Sequence, residues 1–175
     1  MNYFEIFGLE EKFSIDIERL TERYQAIQKS VHPDRFTHAS SQEQLLAAKK
    51  STLVNDAYQT LKKPLKRAEY MLEIRGVSIP NEQSTFSDNA FLMRQMELRE
   101  MLAEIKFADD INAAVFEVSQ VLEIEFEQLF KAMQVALFEN SEASNKQACE
   151  LLRKLKFYQK LHLELDRLED LLFDD

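Results

Sequence analysis

The chain has 175 residues, of which only 2 are glycine and 3 proline. That scarcity excludes hairpin-rich sheets and glycine-rich phosphate loops, and leaves an all-α fold of long helices with few connections. A net charge of −9 argues against a nucleic-acid binder, apolar runs of at most four residues leave no membrane span or secretory segment, and a lone cysteine, Cys149, excludes a disulfide framework or a cysteine-built metal site.

In chain order, residues 1–9 are short and apolar, with Gly8 placed to stop a helix. Ser14 is the expected cap of a second helix, with Asp16 and Glu18 in its first turn. Its apolar stripe is Leu20, Tyr24, Ile27 and Val31. Pro33 disfavours helix at His32, so the helix ends there. Residues 35–41 read as loop. Ser40-Ser41-Gln42-Glu43 matches a capping box, opening a helix with the stripe Leu46, Leu53, Ala57, Leu61. Pro64 suits the first turn of a helix over about 65–75, which Gly76 stops.

Residues 77–87 lack periodicity and hold Pro80, Asn81, Ser84 and Ser87. They divide the chain into a first domain (1–75), a linker (76–87) and a second domain (88–175). Three helices are expected in the second, over 89–105, 109–139 and 144–173. Ser144-Asn145-Lys146-Gln147 is the expected capping box of the third. Its seam is Leu151, Tyr158, Leu161, Leu165, Leu168 and Leu172, interrupted by Lys154. Three antiparallel helices with short turns make a bundle. Residues 1–76 hold 12 basic and 11 acidic side chains, and residues 77–175 hold 10 and 20. Such asymmetry suggests two modules with different partners.

Two features carry function. The first is His32-Pro33-Asp34 between two amphipathic helices. Alone, the tripeptide is a weak signal and reads as a chance turn. As an acid–base dyad it lacks a nucleophile and an oxyanion turn. His32, Asp34 and His38 can be drawn as metal ligands, but Pro33 is rigid and no fourth ligand is near. His38 and His162 read as surface histidines, and Cys149 as a small core residue.

The second feature is a two-faced helix. At about 100° per residue, Phe91, Leu98, Leu102 and Ile105 fall in one arc of about 60°, a complete core stripe. Leu92, Met93 and Met96 lie nearly opposite, with Glu97, Glu100 and Glu104 along one edge. That second patch either packs on the first domain, extends the core, or docks a partner through adaptable Met and Leu anchors beside carboxylates.

Taken together, the N-terminal half resembles a J-domain. The pattern is Tyr3-Phe4-Glu5-Ile6-Phe7-Gly8-Leu9, the Tyr24 helix, His32-Pro33-Asp34, Asn55…Ala57-Tyr58…Leu61 and Pro64…Lys66-Arg67-Ala68…Tyr70. The stretches Ala90-Phe91-Leu92-Met93…Gln95-Met96-Glu97-Leu98-Arg99-Glu100 and Arg153-Lys154-Leu155-Lys156-Phe157 are similar to the HscB family of iron–sulfur co-chaperones. The resemblance implies an L-shaped protein in which a helical hairpin with a His-Pro-Asp loop joins a three-helix bundle. It implies a cytoplasmic, non-enzymatic co-chaperone with no cofactor, binding neither nucleic acid nor membrane. Its implied partners are a DnaK-class ATPase, HscA, and a cluster scaffold, IscU.

The implied chaperone-binding residues are His32, Pro33, Asp34, Arg35, Arg23, Lys29 and Arg19. The implied scaffold-binding residues are Leu92, Met93, Met96, Glu97, Glu100, Glu104 and Phe157. One departure stands out. Glu18 and Glu22 sit among the cations of the second helix, and Gln25, Ala26 and Ser30 stand near the loop where basic residues are commoner in J-domains. Arg19, Arg23 and Lys29 read equally as a solvated face. Two other readings stay open: a general J-protein serving a different client, and a helical interaction protein in which the tripeptide is incidental.

Overall fold

The computed structural model describes residues 1–81 and 86–173, so residues 82–85 of the expected linker lie outside the described residues. Among those described, every regular element is helical. The chain divides into two compact units, Met1–Ser78 with Leu137–Asn145 and Ile79–Ala136 with Lys146–Asp175.

The first unit opens with the short helix α1 (Tyr3–Ile6), closed by a reciprocal Asn2–Glu5 capping box. Gly8 then adopts φ +60°, and Leu9 N–H returns to Phe4 O at 2.9 Å, ending the helix as a left-handed glycine does. Helix α2 (Ile17–Val31) is capped by Asp16, whose Oδ1 accepts from Arg19 N–H at 3.2 Å. The sequence reading had put the cap at Ser14. Asp16 takes the role because it immediately precedes the first helical residue and its carboxylate reaches the third backbone donor. A 3₁₀ turn (Pro33–Phe36) follows where loop was expected. Helix α3 (Ser41–Lys62) starts at the expected cap, Ser40. Helix α4 (Pro64–Ile74) ends at Gly76.

The buried face of α3 differs from the expected stripe. Ala57 and Leu61 are buried as expected, but Leu46 and Leu53 are exposed, and Ala47, Val54 and Tyr58 are buried in their place. A polar ladder runs beside this face. Thr21 Oγ1 meets Tyr58 Oη at 3.1 Å, Tyr24 Oη donates to Asn55 Oδ1 at 3.1 Å, and Ser51 Oγ donates to Gln28 Oε1 at 2.8 Å. Tyr24 also stacks on Tyr58 with ring centres 4.0 Å apart. These contacts lie on the side of α3 toward Ala47, Val54 and Tyr58 and accompany a rotation of its buried face by about 60° from the expected stripe.

Arg67 of α4 is buried. Its Nε donates to Phe13 O and its Nη1 to Leu61 O, both at 2.6 Å, and its guanidinium covers the Phe13 ring. Burial lowers its pKa to about 10. Arg75, at the end of α4, pairs with Glu11 and donates from Nη1 to Leu137 O at 2.9 Å and Asn145 Oδ1 at 3.0 Å.

The second unit contains α5 (Asn89–Glu104), a 3₁₀ turn (Ile105–Phe107), and most of α6 (Ile111–Glu139) and α7 (Glu142–Phe173). Phe91, Leu98, Leu102 and Ile105 form the expected core stripe against Val115, Val118 and Leu122 of α6 and Tyr158, Leu161 and Leu165 of α7. Helix α7 begins earlier than expected. Ser141 and Ser144 cap each other reciprocally, at 2.8 and 3.0 Å, after Asn140 turns the chain at φ 49°. Its seam also corrects the reading. Leu151 is only half-buried while Leu152 and Leu155 are fully buried. Lys154 does not interrupt the seam but stands at its edge, 2.9 Å from Asp88.

Candidate functional site

The tripeptide loop is built from a helix end that cannot continue. His32 leaves α2 in extended conformation, and Pro33 occupies the first position of the 3₁₀ turn with its ring-fixed φ. Arg35 N–H closes the turn on His32 O at 3.0 Å. His32 Nδ1 accepts from Asp34 N–H at 3.3 Å and lies 3.4 Å from Asp34 Oδ2. The two side chains are 60% and 88% exposed, so both are free to meet a partner surface. Gln44 of α3 donates to Phe36 O at 2.8 Å, anchoring the far end of the loop. The core does not use His32, Pro33, Asp34 or Arg35.

The cations of α2 divide. Arg19, Lys29 and Arg35 are exposed, and Lys29 and Arg35 join His32 and Asp34 around an open depression shared with Tyr24, Gln25 and Gln28. Arg23 turns inward, donating to Phe7 O and, at 2.7 Å, to Gly8 O. A side chain at position 8 would collide with that guanidinium. Gln25 and Gln28 beside the loop carry no hydropathy signal. The position of Gln25 in the second helix places it near the loop, and the spacing of Gln28 from His32 points to it in the same way.

On α5, Met93 and Met96 are 64% and 68% exposed. Glu97, Glu100 and Glu104 are exposed and Leu92 is half-buried. The helix N-terminus is fixed by Asp88, which accepts from Phe91 N–H at 3.1 Å and from Lys154 Nζ at 2.9 Å. The Lys154 hydrogen bond, with that from Phe91, holds the Asp88 carboxyl below its usual range. Glu97 pairs with Arg94 at 2.7 Å, and Arg94 also reaches Glu125 at 2.8 Å. Glu125 accepts from buried Tyr158 Oη at 3.1 Å. The sequence reading missed this network, because Arg94 falls outside both apolar stripes.

Phe157 of α7 is half-buried and packs edge-on against Phe91, ring centres 5.7 Å apart. The guanidinium of Arg99 lies 5.5 Å above its ring and pairs with Glu164 at 3.3 Å. Arg99 thus stands on the Leu92–Met96 side of α5 and reaches Phe157 from there. It is a second residue the sequence reading left unassigned. Among the described residues no group of three or more His, Cys, Asp or Glu is placed to hold a metal ion, and no helix is long and apolar enough to cross a membrane.

A helical hairpin presenting an exposed His-Pro-Asp turn, followed by a separate acidic helical unit, is the arrangement of a J-domain protein with a second module. The DnaJ domain family matches residues 2–70, and the HSCB C-terminal oligomerisation domain matches residues 87–166. The chain is 57% identical to a Co-chaperone protein HscB homolog of Colwellia psychrerythraea over 100% of both chains. It is 44% identical to a homolog of the same name from Shewanella halifaxensis, over 99% of this chain and 100% of that one. Two solved structures share the fold. The chaperone HscB from Vibrio cholerae has TM-score 0.87 at 39% identity, covering 99% of this chain and 100% of its own. The human co-chaperone protein HscB has TM-score 0.87 at 32% identity, covering 97% and 82%. The chain belongs to the HscB co-chaperone family.

Proposed function

We propose that this protein binds the iron–sulfur scaffold IscU through α5 and Phe157, delivers it to the DnaK-class chaperone HscA, and stimulates the chaperone's ATPase through the His32–Asp34 loop. The observation that carries the reading is the exposure of His32 and Asp34 on a turn that the core does not need. Pro33 presets the backbone, Asp34 offers a carboxylate to an arginine of the ATPase, and His32 offers a ring donor and acceptor. Arg19, Lys29 and Arg35 add a cationic flank.

The α5 face supports the second half. Met93 and Met96 are long, adaptable side chains left in solvent, flanked by carboxylates that favour a basic partner. Phe157 supplies an aromatic anchor already held in place by Phe91. The protein performs no covalent step. Stimulated hydrolysis traps the chaperone on the scaffold that this protein holds, which assists cluster assembly and transfer.

The test is a steady-state ATPase assay of HscA with this protein and IscU added separately and together. Stimulation by this protein alone, raised further with the scaffold, is the expected result. Stimulation without any effect or binding of the scaffold would assign it to a different client. No stimulation would reduce the tripeptide to an ordinary turn.

A further inference from the structure

We propose that the docking face of α5 continues past Glu104 into an open apolar hollow at the turn into α6, which takes an apolar side chain of the bound scaffold flanked by a basic one. The inference rests on the docking role given to α5 above. The hollow, about 390 Å³, is lined by Met101, Ile105, Phe107 and Val118, with the carboxylates of Glu104 and Glu117 among its walls. Enclosed sites for small molecules bury most of their ligand. This one stands open, a shape suited to a segment of another protein.

Three observations converge on it. First, Phe107, on the wall of the hollow, is 78% exposed. A solvent-facing phenylalanine at the rim of an apolar hollow is exposed apolar surface of the kind that marks interaction sites. Second, neither Glu104 nor Glu117 has an ion-pair partner among the described residues. Lys106, between them in sequence, lies over the Phe107 ring at 5.1 Å instead. Unpaired carboxylates beside apolar walls favour a cation carried next to an apolar group. Third, the hollow is continuous with the face already described. Met93, Glu97 and Glu104 share one edge of α5, and Glu104 is also a wall of the hollow.

Purified IscU is titrated calorimetrically into the full chain and into Phe107→Ala, Glu117→Lys and Leu92→Ala variants, each checked by thermal melt and sedimentation. Phe107 and Glu117 are both exposed, so the melts should not move. Phe107→Ala is expected to weaken binding about tenfold. Glu117→Lys is expected to weaken it similarly, by a factor that shrinks at high salt, whereas the Phe107 effect persists. Wild-type affinity in both hollow variants, with Leu92→Ala weakened, would overturn the hollow and leave the α5 reading standing. Wild-type affinity in all three would overturn both. A sedimentation change in the Phe107 variant without scaffold would assign the hollow to a second copy of this chain and likewise overturn the proposal.

Discussion

Met96 and Leu98 lie two residues apart on α5, yet one is 68% exposed and the other fully buried. Truncating each to alanine separates docking from folding on a single turn. Leu98 packs in the core shared by α5, α6 and α7, and its truncation leaves a cavity costing roughly 2–5 kcal/mol. Met96 has most of its side chain in water, so its truncation should change stability by less than about 0.5 kcal/mol. In a unit of fewer than about 100 residues each kcal/mol moves the melting temperature by roughly 4–8 °C. Leu98→Ala should therefore melt at least about 10 °C low, and Met96→Ala within a few degrees of the parent. Calorimetric titration with IscU should show the reverse ranking. Met96→Ala should bind about tenfold more weakly, about 1.4 kcal/mol, while Leu98→Ala, measured well below its melt, should bind nearly as the parent does. A Met96 variant that binds normally, or that melts like the Leu98 variant, would refute the assignment of Met96 to the docking face. Phe157 gives no such separation: its contact with Phe91 means that truncation should lower both affinity and melting temperature.

His32→Gln should abolish ATPase stimulation with circular dichroism and scaffold binding unchanged, because the ring is exposed and its hydrogen bond and ion pair are with Asp34 of its own turn; retained stimulation would sink the loop's role. The stimulation constant should weaken as salt rises, since the screening length falls from about 10 Å at 0.1 M to about 3 Å at 1 M; a flat response would make Arg19, Lys29 and Arg35 a merely solvated face. Burial raises the phenol pKa of Tyr158 beside Glu125, and that of Tyr70. A folded pKa above the unfolded value of about 10 contributes stability that is fully present below that pH and lost as pH rises through it. The melting temperature should thus fall in alkali, and an absorbance titration should find these two phenols ionising late; one common ionisation of all five tyrosines near that pH would contradict the burial argument.

The core stripe of α5 was legible because Phe91, Leu98, Leu102 and Ile105 repeat cleanly at the helical period and nothing polar competes for that face. On α3 the same reasoning placed Ala57 and Leu61 in the core and misplaced the N-terminal half of the stripe. Leu46 and Leu53 keep helical spacing as well as Ala47 and Val54 do, and the contacts that accompany the observed face are hydrogen bonds from Tyr24 to Asn55 and from Ser51 to Gln28, which hydropathy cannot register. The tripeptide stood out in the sequence because proline fixes its own geometry. The inward turn of Arg23 was hidden, since a cation on an amphipathic helix shows no sign of the carbonyls it will meet. The pairings of Arg94 with Glu125, Arg99 with Glu164 and Lys154 with Asp88 were hidden for the related reason that each joins residues tens of positions apart.

The tie between Arg75 and the turn that joins α6 to α7 has a consequence for how the chain is made. Met1–Ser78 leaves the ribosome as an unfinished unit, because Leu137–Asn145 belongs to it and is synthesised later. Until that turn emerges, Arg75 lacks the carbonyl of Leu137 and the amide oxygen of Asn145. The first unit is then completed only after most of the second has been translated. No single cut releases the two units intact, since the chain passes from one to the other and back.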